Sequence, residues 1–136
     1  MPTPGRFQID PDDSRPLYIQ IMDEVKRAIS LGELATDDPV PSVRDLAGEL
    51  RVNPNTVQQA YRELEHEGVV EVRRGRGTFV SPDLDRSRVE GEVLRDLTDE
   101  VLRLAARAGV PPDALADSIL QRHQQRHRPP TPKETP

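Results

Sequence analysis

Residues 53–68 constrain the fold most, because their sequence NPNTVQQAYRELEHEG defines both ends of one helix. Asn53 can cap the first turn, and Pro54 suits the first helical position, where no backbone N–H is needed. Gly68 is a typical residue for the end of a helix. Apolar residues recur at helical spacing on one face, which predicts a core-facing stripe of Val57, Ala60, Tyr61 and Leu64.

The opposite face of this helix carries amides where solvent-facing helices usually carry Glu and Lys. Its polar residues over the first three turns are Asn55, Thr56, Gln59 and Arg62. Asn and Gln can bond bidentately to adenine, and Thr can contact bases or phosphates. The pattern therefore predicts a face that reads base edges in DNA. His66 ends the same face, and it suits a phosphate contact and a helix cap equally.

Two further helices are predicted before this one. Apolar residues at helical spacing follow Pro16 until Gly32 supplies a stop. Ser42 and Asp45 then have the spacing of a capping box for a short helix that runs through Leu50. The short helix and the helix after it are joined by a tight turn, as in a helix-turn-helix.

A β-hairpin is predicted after Gly68, where two β-branched runs flank the letters RRGRG. Its arginines, Arg73, Arg74 and Arg76, are interrupted by Gly75, which suits a loop that approaches phosphates or a minor groove. The order of helices and hairpin is that of a winged helix-turn-helix. The predicted fold class is therefore mainly α with a small β-hairpin wing.

After Pro82 the composition indicates two more helices with apolar stripes, which two helices cannot bury well alone. An apolar content of 34% is also low for a self-sufficient core of 136 residues, so burial against a second copy is expected. The predicted dimerisation residues are Leu94, Leu97, Val101, Leu104, Leu115 and Ile119.

These elements divide the chain into four predicted segments. Residues 1–14 form a flexible arm, and residues 15–82 form a winged helix-turn-helix DNA-binding domain. Residues 83–128 form a helical dimerisation segment, and the proline-rich residues 129–136 form a disordered tail.

The net charge of −5 argues mildly against a nucleic-acid partner, since phosphates favour basic surfaces. Residues 51–80, however, carry five arginines against four glutamates, so local patches decide the partner. The chain has no cysteine, which excludes disulfides, and it has no apolar run of membrane-spanning length and no signal peptide. We therefore expect a cytoplasmic protein without a membrane partner.

Catalysis and metal binding find little support in the sequence. His123 and His127 have a spacing seen in metal-binding helices, but no third ligand accompanies them. No glycine-rich phosphate loop follows a strand, and no nucleophile elbow is present. The sequence predicts no enzyme, no cofactor and no metal site.

Two other functions remain compatible with these residues. A winged helix can serve as a protein-interaction module without touching DNA, although such a module has no need of the wing arginines. The C-terminal helices could also bind a small molecule or a metal, and no particular effector is predicted.

Four motifs, PSVRDLA, VNPNTV, AYRELE-EG and RRGRGTFV, together resemble the DNA-binding domain of the GntR superfamily of bacterial transcription regulators over about residues 15–81. The resemblance implies that Arg44 lies against DNA and that the start of the recognition helix contacts bases and phosphates, through Asn53, Asn55 and Thr56. It also implies that the wing tip, Arg74 to Arg76, reaches the minor groove. Gln59 departs from the family pattern, in which a basic residue is common at this position.

The C-terminal part is too short for the large effector domains of that superfamily and is similar to the YtrA subfamily, whose short helical segment serves for dimerisation. This resemblance implies a repressor, commonly of an operon that encodes an ABC transporter. The sequence-based expectation is thus a homodimer on a pseudo-palindromic operator in double-stranded DNA, with one recognition helix in each half-site.

Overall fold

A computed structural model describes residues 7–129 of the chain. Its helices are α1 (Leu17–Ser30), α2 (Val43–Leu50), α3 (Pro54–His66), α4 (Arg86–Arg107) and α5 (Pro112–Arg126). Strands β1 (Val70–Arg73) and β2 (Gly77–Val80) form an antiparallel hairpin between α3 and α4. The predicted class, mainly α with a small β wing, is confirmed. The chain divides into two compact units, one ending at Leu94 and one beginning at Arg95.

The helix ends lie where the capping residues predict them. The Ser42 hydroxyl accepts a hydrogen bond from the Asp45 N–H at 3.0 Å, and α2 begins after it. The side-chain oxygen of Asn53 accepts from the Asn55 N–H at 2.9 Å at the start of α3. Beyond the end of α3, Gly68 has a φ of +76°, a left-handed conformation that a side chain would disfavour.

The core of the first unit lies between α1, α2 and α3. The predicted apolar stripe of α3 is buried in full, through Val57, Ala60, Tyr61 and Leu64. It meets the buried face of α1, which includes Ile21, Val25 and Ile29. Leu46 of α2 completes this contact region without any exposed surface. Burial of apolar side chains is the main favourable term in folding, so these residues fix how α3 is held.

The hairpin gains a third chain segment that the sequence did not indicate. The Val40 N–H donates to the Thr78 carbonyl at 2.9 Å, and the Val80 N–H donates to the Asp38 carbonyl at 2.8 Å. The Asp37 N–H also donates to the Val80 carbonyl at 2.9 Å. Residues 37–40 therefore line the outer edge of β2, which gives the wing a second backbone attachment.

The described part of the segment that was expected to be a flexible arm is docked on α1 instead. Phe7 is buried in the core of the first unit. The buried Gln20 side chain accepts from the Asp10 N–H at 2.7 Å and donates to the Asp10 carbonyl at 3.0 Å. A buried aromatic ring and a satisfied amide thus attach Phe7 and Asp10 to the first unit, within a segment for which the sequence predicted a flexible arm. Residues 1–6 lie outside the described residues.

The first turns of α4 belong to the first unit, beyond the boundary predicted at residue 82. Val89 is buried in its core. The Lys26 ammonium of α1 lies 2.8 Å from a carboxylate oxygen of Glu67 and 3.1 Å from one of Glu92. Burial disfavours this ammonium, but Glu67 and Glu92 outweigh the burial and raise the pKa of Lys26. Lys26 thus ties the end of α3 and the start of α4 to α1.

The second unit comprises most of α4 together with α5. Helix α5 has no buried residue, and Val101 and Leu115 are only partly covered. None of the helices within residues 7–129 could span a lipid bilayer, since each is too short or too polar. The predicted disordered tail lies outside the described residues apart from Pro129.

Candidate nucleic-acid interface

The outward face of α3 presents the polar side chains that the sequence singled out. Asn55, Gln59 and Arg62 are exposed, and Thr56 is half-buried beside them. On the opposite face, the Tyr61 hydroxyl donates to the Pro41 carbonyl at 2.6 Å, which anchors α3 to the turn before α2. Burial raises the pKa of Tyr61. The outward amides are therefore carried on a helix whose inner face is fixed by packing and by this hydrogen bond.

Asn53 caps the N-terminus of α3, so part of its side chain is already hydrogen-bonded within the protein. Its side-chain oxygen accepts from the Asn55 N–H and so satisfies one of the free donors of the first turn. Its exposed side chain retains the amide N–H groups as donors. These N–H groups could donate to a base or a phosphate while the oxygen caps the helix.

The wing tip, residues 74–76, joins β1 to β2 and is exposed. The Arg76 N–H donates to the Arg73 carbonyl at 2.9 Å and closes the turn. Gly75 has a φ of +74°, which favours glycine at this position. Within residues 7–129, neither Arg74 nor Arg76 makes an ion pair, so both guanidinium groups face solvent.

Arg73 differs from these two arginines although it is their neighbour in sequence. Its guanidinium forms an ion pair with Asp37 and lies 3.4 Å from a carboxylate oxygen of Glu71. The same group lies over the Phe79 ring, 4.3 Å from its centroid. The hydrogen bond to Asp37 is the main cause that raises the pKa of Arg73.

Arg44 lies on the exposed side of the first turn of α2 and, like Arg62, makes no ion pair within the described part of the chain. The arginines of the first unit that carry uncompensated charge therefore include Arg44, Arg62, Arg74 and Arg76. This local distribution answers the objection raised by the net charge of −5, because phosphates respond to nearby charges within a Debye length.

Comparison with known proteins identifies the domain. The profile described as "Bacterial regulatory proteins, gntR family" matches residues 17–80, which is the helix-turn-helix with its wing. The HTH-type transcriptional repressor YtrA of Bacillus subtilis is 40% identical over 117 residues, covering 85% of this chain and 90% of that protein. The chain belongs to the GntR family.

Solved structures of GntR-type regulators show the same architecture. A GntR family transcriptional regulator from Listeria monocytogenes aligns with a TM-score of 0.68 and 32% identity, covering 81% of this chain and 97% of that one. The DNA-binding domain of AraR, in complex with operator ORX1, aligns with a TM-score of 0.50 and 26% identity over 54% of this chain and 92% of its own. The resemblance stated from sequence, including the YtrA-like short C-terminal segment, is confirmed, and the chain is a DNA-binding transcription regulator.

In this GntR fold, the predicted site residues fall into three groups by their surroundings. Those on α3 and at the wing tip are exposed, as is Arg44, except that Thr56 is half-buried. Asn53 is engaged in capping, and Arg73 is engaged with Asp37. Asp37 is the residue that sequence reasoning missed, since it lies 36 residues before its partner and in a turn-rich connector.

The remaining candidates lie apart from this surface. His123 and His127 stack in α5 and its C-terminal cap, with ring centroids 4.2 Å apart. Across residues 7–129, no group of three or more His, Cys, Asp or Glu side chains has the arrangement of a metal site. His66 is exposed at the last residue of α3.

Proposed function

We propose that this GntR-family regulator is a homodimeric repressor that reads a pseudo-palindromic operator. The observation that carries the proposal is the exposed amide face of α3 on the same compact unit as two wing-tip arginines without an ion pair in the described residues. A hydrated surface gains little from Asn55 and Gln59, whereas adenine edges match their donor and acceptor pairs. Arg74 and Arg76 would bind phosphates or the minor groove beside each half-site.

The amides and the arginines would have different roles in binding DNA. Amides of α3 enter the major groove and discriminate between bases, because each base pair presents a distinct donor and acceptor pattern there. The unpaired arginines add affinity for any sequence by displacing condensed counterions. Arg44 and Arg62, both exposed and unpaired in the described chain, would join the second group.

The dimer would be held by the C-terminal helices. Leu94, Leu97, Val101 and Leu104 alternate at intervals of three and four residues, which is the a/d pattern of a coiled-coil seam. Leu94, Leu97 and Leu104 are 65%, 56% and 59% exposed. Burying one leucine contributes roughly 1.5–3 kcal/mol, so a second copy of α4 is the favoured cover. Leu115 and Ile119 of α5 would extend the seam.

A second copy also fits the proposed operator, because a pseudo-palindrome has two half-sites. A single recognition helix reads one half-site, and two helices related by a two-fold axis read successive major grooves. In this arrangement residues 15–82 bind DNA and residues 83–128 join the two subunits. A dimer on a promoter would repress by blocking polymerase, and an inducer would act by favouring a dimer geometry that no longer fits the operator.

The likeness to YtrA, whose name describes it as a transcriptional repressor, supports a repressor role. We propose that this protein represses its own operon and that the operon encodes an ABC transporter. It would act in the cytoplasm, without a cofactor and without catalysing a reaction. The alternative of a protein-interaction module leaves the unpaired wing-tip arginines unexplained.

Footprinting on the DNA upstream of the protein's own coding sequence tests this function. We expect one protected region with two half-sites related by two-fold symmetry, separated by about 10 base pairs or a multiple of that spacing. Protection that spreads evenly over random DNA of equal length would contradict a sequence-specific regulator. Protection of one isolated half-site would contradict the dimer.

A further inference from the structure

Arg73 occupies a different environment from the two arginines that follow it, and the difference points to a different role. It is the last residue of β1 and pairs in register with Gly77, the first residue of β2. Its position is therefore at the base of the wing tip. We propose that Arg73 is a positioning residue that orients Arg74 and Arg76 toward DNA, rather than a DNA contact itself.

Three groups hold the Arg73 guanidinium. Asp37 and Glu71 provide carboxylates, and the Phe79 ring lies beneath it at 4.3 Å. The side chain is only 24% exposed. A guanidinium that stacks on a ring while its N–H donors face a carboxylate uses the properties that distinguish Arg from Lys. Its charge is also compensated locally, so it attracts a phosphate less than the bare guanidinium groups at the tip.

Asp37 makes this arrangement a brace across three chain segments. Its backbone donates to the Val80 carbonyl at 2.9 Å and is thereby fixed to β2. Its φ of +71° is in the left-handed region, which Asp and Asn tolerate better than most residues. The Asp37–Arg73 pair therefore connects β1 to residues 37–40 on the far side of β2. Phe79, on β2 between them, lies under the guanidinium.

The brace matters because a two-stranded hairpin is weakly held by itself. Without the Asp37–Arg73 pair, the tip would sample more orientations, and ordering it on DNA would cost additional conformational entropy. This inference rests on the proposed function, since it assumes that the wing tip meets DNA.

Asp37→Asn is the decisive variant, because it removes the charge and keeps the preference for the left-handed backbone. If Arg73 contacted phosphate, removing a nearby carboxylate would leave operator affinity unchanged or increase it. The brace predicts the opposite sign, a loss of about 3- to 30-fold, within the coupling range of groups that share one interaction. Asp83→Ala, which removes the same charge from an exposed loop position without touching Arg73, is the matched control.

A mutant cycle supplies a second readout that a general loss of stability would not give. Arg73→Ala should weaken operator binding about tenfold in the wild-type background and hardly at all when Arg74 and Arg76 are already alanine. Arg73→Lys should behave like Arg73→Ala. An ammonium can bind a phosphate, but it cannot stack on an aromatic ring and donate paired hydrogen bonds to a carboxylate as a planar guanidinium does. Thermal unfolding of each variant identifies any that is not folded at the assay temperature.

The outcomes separate the two levels of the proposal. If replacing Arg74 and Arg76 leaves operator binding intact, the proposed role of the wing fails. If that replacement weakens binding but Asp37→Asn does not, the brace is overturned. A fully additive loss on Arg73→Ala would also overturn it and would indicate that Arg73 contacts DNA directly.

Discussion

Two helices of this molecule expose a regular face, and the two faces differ in chemistry. Helix α3 exposes amides, which water satisfies at little cost, so its outer face is stable without a partner. Helix α4 exposes the leucines of an a/d seam, whose hydration is unfavourable. Exposure therefore means different things at the two faces: the first suits reversible recognition of DNA, and the second suits lasting association with a second copy.

Placing charge in the α4 seam should have the largest effect. Leu97→Asp with Val101→Asp would bury two unpaired carboxylates in the proposed interface, at a cost of several kcal/mol by order of magnitude. Sedimentation should show a monomer for this variant, whereas the proposal predicts a dimer for the unmodified protein. Operator affinity should fall about 100-fold or more, because the second half-site is no longer bound intramolecularly. Asp99→Ala, off the seam on the same helix, is the control. A variant that stays dimeric would move the interface elsewhere.

Removing one amide from the α3 face should have a smaller and more selective effect. Asn55→Ala or Gln59→Ala should flatten the preference at one base pair of each half-site, by roughly 1–3 kcal/mol for a good bidentate contact. The salt dependence of binding should stay nearly unchanged, since the arginines that are proposed to contact phosphates are all still present. Competition with a set of singly substituted operators, repeated at several salt concentrations, measures the base preference and the salt dependence. If these variants weakened all sequences equally, the amide face would not be a reading surface.

Removing one wing-tip arginine should change the salt dependence rather than the sequence preference. Arg74→Ala or Arg76→Ala should weaken operator and random DNA together, and the log–log salt slope should shrink by about one unit for each phosphate that is no longer neutralised. Arg44→Ala belongs to the same series, and its slope assigns Arg44 to phosphates or to bases. An unchanged slope for both wing variants would exclude phosphate contacts at the tip.

The smallest expected effect concerns the ion pairs by which Lys26 of α1 holds the end of α3 and the start of α4. Burial opposes the charge of Glu92, but Lys26 and Arg88 outweigh it and lower the pKa of Glu92. A lowered carboxyl pKa gives stability that is present above 4.5 and lost as the pH falls through the folded-state value. The raised pKa of Lys26 gives stability that is present below 10.5 and lost as the pH rises through its folded-state value.

Lys26→Met should therefore flatten the dependence of the free energy of unfolding on pH at both ends of this range. Denaturant unfolding at a series of pH values measures it. Arg27→Met, which removes a more exposed partner of Glu24 on the same helix, should change the profile less. Equal profiles for the two variants would show that the contacts of Lys26 with Glu67 and Glu92 contribute no more than a surface pair.

Local sequence was enough to specify the helix ends, the apolar stripe of α3 and the presence of the wing. Each depends on neighbours in the chain: Ser42 and Asn53 cap the residues directly after them, and helical periodicity decides which side chains share a face. The same locality explains why the outward amides can be recognised from the amino-acid order. The exposure of the α4 leucines was likewise implied by two stripes with too little chain to cover them.

Which charges are available depends on the tertiary fold. Arg73, Arg74 and Arg76 are equivalent in the sequence, but only Arg73 meets Asp37, which lies 36 residues away and reaches it through the edge of β2. Lys26 likewise meets Glu67 and Glu92 only because α1, α3 and α4 converge. Phe7 is buried for a similar reason, since the core that it joins is formed by residues distant in the sequence. Long-range pairs of this kind depend on packing in three dimensions, so they cannot be predicted from local sequence patterns.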